Sequence, residues 1–119
     1  MNTFAHRIAP GVQAELSAAQ AAEKLGHFTT AFQHLERAHV LGQAATAHHV
    51  AVHWRMFRFA LRNGMPFEAA GQAWRLVGAA LLTGLGVVPQ GNTGGAAISG
   101  LRRLPIPNDL QQVIDAARA

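Results

Sequence analysis

Apolar residues recur along this chain at intervals of three and four, and no stretch alternates with period two, which predicts helices throughout. Val50, Trp54, Phe57 and Leu61 fall at i, i+4, i+7 and i+11 and read as the core stripe of a helix over 46–62. Thr46 is its expected N-cap, and Asn63 with Gly64 breaks it. A preceding helix is predicted over 28–41, stopped by Gly42. Before it, Pro10 and Gly11 open a helix over 11–25, whose thin face (Val12, Leu16, Ala19, Glu23) allows close approach and which Gly26 ends. Pro66 suits the first turn of a fourth helix over 66–85, where Gly71 and Gly78 lie two turns apart and admit another backbone. Residues 87–100, VVPQGNTGGAAISG, carry too many glycines for regular structure and read as a loop. Asn108 with Gln111 three residues later resembles a capping box opening a last helix over 109–118, with Leu110, Val113, Ile114 and Ala117 on its apolar face. The expected fold class is all-α: one domain, a compact bundle of about five helices built on antiparallel hairpins.

Composition narrows the chemistry. Half of the 119 residues are apolar and 13% are charged, as in a packed globular protein and unlike a disordered one. Cysteine is absent, so disulfides and thiolate metal sites are excluded, and a metal must be held by His, Asp, Glu, Met or backbone oxygen. Residues 1–11 lack the continuous apolar core of a signal peptide, and the apolar run 76–88 is too short to span a bilayer. A cytoplasmic protein with no membrane partner is expected. The formal net charge of +4 permits weak attraction to phosphate without demanding nucleic acid. Arg55, Arg58 and Arg62 form a stripe that reads more simply as a solvated face than as a phosphate-tracking one. Ser17 and Ser99 are the only serines, and neither sits in a nucleophile-like turn.

The informative residues are histidines. There are seven, and five lie between positions 34 and 53. His39 shares an inward stripe with Phe32 and Leu35, and Glu36 sits one turn before it; His49 and His53 are four apart and stack on one face, with Met56 continuing the stripe. The link 43–45 is short, so the two helices run antiparallel and His39 comes opposite His49. Glu36, His39, His49 and His53 are therefore expected to converge on a transition metal, with zinc, copper and iron all suited to imidazole and carboxylate. His34, His48 and Met56 are second choices as ligands, and Gln43 is a candidate to orient one. A carboxylate-bridged di-iron centre is disfavoured because the chain has only six acidic residues. Glu68, Gln72 and Arg75 make a polar stripe on the fourth helix that either lines the same cavity or faces water. The competing reading is bland: histidines hydrogen-bonded in a helical core. Two further functions stay open, a protein-interaction module and a metal-dependent oxidoreductase using copper or iron, and homo-oligomerisation is left open as well.

Two resemblances accompany this pattern. Residues 26–38, GHFTTAFQHLERA, resemble half of a tetratricopeptide repeat at Gly26, Phe28, Ala31, Leu35 and Ala38, but no second copy follows at the required period. That implies a repeat-like hairpin and not an array. The blocks HLERAHVLGQ (34–43), HVAVHWRM (49–56), GQAWR (71–75), PQGNTGG (89–95) and IPNDL (106–110) are similar, in the same order, to the bacterial family called domain of unknown function 3703. This second likeness spans nearly the whole chain and implies no activity.

Overall fold

The Thr3 hydroxyl accepts the His6 backbone N–H at 3.2 Å and starts helix α1, Phe4–Lys24. The computed structural model describes residues 3–84 and 104–119, the side chains of 79–84 excepted. Pro10 lies inside α1 and not at its entrance. A proline within a helix removes one backbone hydrogen bond at a cost of about 3 kcal/mol. The helix tolerates it because Ile8 is wholly buried and Phe4 packs against the same core, which continues the stripe of Val12, Leu16 and Ala19 one further turn upstream.

Gly26 ends α1 with φ +77°, a left-handed conformation that a side chain would strain, and His27 N–H returns to the Ala22 carbonyl at 2.9 Å. Helix α2 follows as Phe28–Gly42, α3 as Thr46–Arg62, α4 as Pro66–Gly84 and α5 as Asn108–Arg118. Gly64, with φ +65°, turns the chain between α3 and α4. These are five helices with no strand among the described residues, and the all-α expectation holds. No helix among these residues is long and apolar enough to cross a membrane.

α1 packs chiefly along α2 and α3 chiefly along α4; α2 also meets α3, and α5 rests on α1 and α2. Alanines at the crossing make this close. Ala31 and Ala38 are fully covered, and a Cβ on Gly42 would stand 2.9 Å from the His48 Cβ and 3.4 Å from Val12 Cγ2. Gly42 is thus the last residue of α2 and a point of tight approach, whereas among the described residues nothing lies within 4 Å of where a Cβ on Gly78 would sit. Among the described residues the expected close approach at Gly78 is not made.

The core stripe of α3 differs from the sequence expectation. Trp54 and Leu61 are 49% and 60% exposed, and Val50 and Phe57 are half-buried. The buried face is instead His49, Val52, His53, Met56, Phe59 and Ala60, about a third of a turn away. Counting imidazole as polar hides this stripe, because two of its six positions are histidines. Two caps also move. Ala45 and Pro107 hold the N-cap positions of α3 and α5, and neither makes a side-chain capping bond. Asn108 is already helical, and Gln111 donates to Asp115 at 2.8 Å, so no capping box forms. On α5, Leu110, Ile114 and Ala117 are buried as expected, and Val113 stays 39% exposed. The glycine-rich 87–100 segment lies outside the described residues.

Candidate metal centre

The 43–45 link reverses the chain through the Ala45 N–H, which bonds the Gly42 carbonyl at 3.0 Å. That short turn brings the end of α2 against the start of α3. His39 comes down from α2, and His49 and His53 rise from α3 one turn apart. All three rings are buried, at 2%, 6% and 3% exposure.

Their Nε2 atoms form a small triangle. His39 lies 2.9 Å from His49 and 3.1 Å from His53, and His49 lies 3.2 Å from His53. The ring of His39 meets both others edge-on, with centroids 4.7 Å apart in each pair. Among the described residues these three are the group whose ligand atoms lie mutually within 4.8 Å. Two nitrogens each about 2.0–2.1 Å from one zinc ion stand about 3.3 Å apart in tetrahedral geometry and about 2.9 Å apart at a right angle. The observed spacings fall in that interval.

α4 fixes one ring of the triangle. Glu68 and Gln72, one turn apart, are both turned inward, and Gln72 is wholly buried. The Gln72 amide donates to Glu68 Oε2 at 2.7 Å, which leaves its carbonyl oxygen to accept from His53 Nδ1. A neutral imidazole carries a single N–H. With that proton on Nδ1, the Nε2 of His53 presents a bare lone pair to the other two rings. The polar stripe on α4 therefore reaches the three rings through Gln72, with Glu68 behind it. The sequence left that choice open; the signal was an acid and an amide four apart on a helix otherwise rich in apolar residues.

Burial keeps two of the rings neutral. Burial pushes His49 down to about 4, with the neighbouring His53 adding to the effect. Burial likewise pushes His53 down to about 4; the Gln72 bond opposes this and the Arg75 charge reinforces it. Arg75 is itself held below its ordinary value by burial, against the pull of Glu68.

Glu36 and the other predicted histidines stand outside that group of three. Glu36 is half-buried. The His34 Nδ1 meets Glu15 Oε2 at 2.7 Å, and Glu15 also accepts from Arg37 at 2.9 Å. His48 donates from Nε2 to the Ala5 carbonyl at 2.7 Å, tying α3 to α1. Met56 is fully buried within the hydrophobic core. His6 and His27 are exposed.

Comparison with known proteins adds a family and no activity. A family model described as a protein of unknown function (DUF3703) matches residues 6–114, a span that holds all three histidines together with Glu68 and Gln72. No curated protein matches the chain, and no solved structure does. Matched over nearly its whole length, the chain belongs to the DUF3703 family.

Proposed function

We propose that this protein binds a transition-metal ion through the Nε2 atoms of His39, His49 and His53. The observation that carries the reading is the triangle of nitrogens 2.9–3.2 Å apart on three buried rings. Hydrogen bonding alone does not satisfy such a triangle. Closing it would require each nitrogen to donate once and accept once, and a ring nitrogen either carries a proton or offers a lone pair. His53, protonated at Nδ1 toward Gln72, can only accept. Whatever the tautomers of the other two rings, one pair then brings like groups together, two lone pairs or two N–H groups, at about hydrogen-bond distance. With all three nitrogens unprotonated, a cation at the centre turns that repulsion into attraction. Protonating a ring would serve the same end, but burial disfavours the charged form of His49 and His53.

Neutral imidazoles suit zinc, copper and iron, and affinity among divalent ions rises toward copper. Three protein ligands leave a coordination position for water or another group, as catalytic zinc sites do and closed structural sites do not. The Glu68–Gln72–His53 chain supplies the outer hydrogen bond that fixes a ligand's tautomer. The test is elemental analysis of protein purified without a histidine tag, followed by thermal melts with zinc, copper or iron added to the metal-free form. About one equivalent of metal and a raised melting temperature are expected. Absence of both rejects the proposal.

A second reading, a binding module for another protein, is favoured by a separate feature of the surface between α1 and α3.

A further inference from the structure

Helices α1 and α3 touch only lightly, and α2 lies beneath both, so a groove runs between them. Its central part is a cleft of about 570 Å³ floored by Leu16, Leu35 and Phe59 and walled by Lys24 on one side and Arg55 and Arg58 on the other. A shallower trough of about 520 Å³, lined by Ala9, Val12 and Ala51, continues it toward His6. The two share Leu16 and Arg55. From His6 to Lys24 the groove follows α1 for about 27 Å. About eight residues of extended peptide span that length.

The charges inside it are unbalanced. Glu23, the acid in the cleft, is held by Arg62 at 2.9 and 3.0 Å and by Asn63 at 3.0 Å, and its carboxyl is held below the usual range by the Arg62 bond. Glu15 and Asp109 are occupied by Arg37 on another face. Arg55, Arg58 and Lys24 take part in no hydrogen bond or ion pair among the described residues. Three cations are thereby left on the two walls of the cleft, in a chain whose formal net charge is +4.

We infer that this groove docks an acidic peptide segment of a partner protein, its carboxylates on Arg55, Arg58 and Lys24. Guanidinium groups match carboxylates two bonds at a time, which sets register as well as attraction. A nucleic acid fits less well. The cleft's aromatic ring, Phe59, is 2% exposed and offers no face on which a base could stack.

The test uses a fluorescein-labelled twelve-residue peptide of mixed glutamate, aspartate and leucine, measured by anisotropy at about 50 mM salt. Its Gln/Asn counterpart and a twelve-nucleotide single-stranded DNA serve as comparators. The acidic peptide should bind at least tenfold more tightly than either, with amide NMR shifts confined to 6–24, 48–62 and the surroundings of Leu35. The Arg55→Gln/Arg58→Gln variant should weaken it at least tenfold. Gln33→Glu/Gln112→Glu changes the net charge equally, at exposed positions outside the groove, and should weaken it less than twofold. Melting curves confirm that both variants fold. The proposal is overturned by absence of binding, by equal binding of the amide peptide, by tighter binding of the DNA, by shifts outside the groove, or by equal weakening in the two variants.

Discussion

His53 donates its Nδ1 proton to the Gln72 side-chain oxygen, and through that bond a residue of α4 sets the tautomer of a ring on α3. Gln72 is held in turn by Glu68, whose carboxylate takes the amide hydrogens and so decides which end of the amide faces the ring. Replacing Gln72 by Leu keeps the volume and removes the acceptor. The His53 tautomer is then no longer fixed, and metal affinity should fall about 10- to 100-fold. A competition titration against a chelating dye measures it. Unchanged affinity would mean that the outer bond is structural only.

The histidines themselves separate metal binding from core hydrogen bonding. His39 contacts both other rings, so His39→Leu removes the shared vertex of the triangle. The variant should lose at least 100-fold in metal affinity, since two ligands remain. Its metal-free form should melt no lower than the unsubstituted protein, because leucine ends the crowding of lone pairs and fills similar space. If the three rings instead served only to satisfy one another, the same change would cost about 1–3 kcal/mol. Urea denaturation of the two metal-free proteins distinguishes the outcomes.

Burial of neutral imidazole makes stability depend on pH in a stated direction. His49 and His53 each stand at about 4 in the folded protein, against 6.5 for the free side chain. The unfolded chain therefore binds protons first as pH falls. The metal-free protein should keep its full stability above about pH 6.5 and lose it progressively down to about pH 4. The shift corresponds to about 3 kcal/mol per ring at the acid limit, less where the two rings titrate together. Denaturation midpoints at half-unit pH intervals would show the slope. A curve flat between pH 6.5 and 4 would falsify neutral burial, and bound metal, which keeps the folded rings unprotonated to lower pH, should carry the decline below pH 4.

Much of this centre could be read from residue order. The spacing of His49 and His53, the short 43–45 link and the inward place of His39 were enough to bring three rings together, because helix geometry and an antiparallel turn leave little freedom. Glu36 was grouped with them by its place one turn from His39 at the edge of the same face; a three-residue step on a helix turns the side chain by about 60°, and the group of three forms without it. Gln72 was harder to place, because its role depends on which face of α4 meets α3, a tertiary fact that no local pattern contains. The start of α1 was missed for another reason. Pro10 is a strong local signal, but burial of Ile8 outweighs it.

The register of α3 gives the last prediction, because two large residues two positions apart should behave oppositely. A stripe through Val50, Trp54, Phe57 and Leu61 would put Trp54 in the core. The structure buries Met56 completely and leaves Trp54 half in solvent, stacked loosely on Phe57 with ring centroids 5.8 Å apart. Met56→Ala empties a site closed on all sides and should cost about 2–5 kcal/mol. Trp54→Ala removes more atoms, but from a position that water already reaches, and should cost less than about 1 kcal/mol. Urea midpoints at constant m-value give both numbers. A larger loss at Trp54 than at Met56 would return the helix to the register its apolar spacing suggests, and with it turn His49 and His53 away from His39.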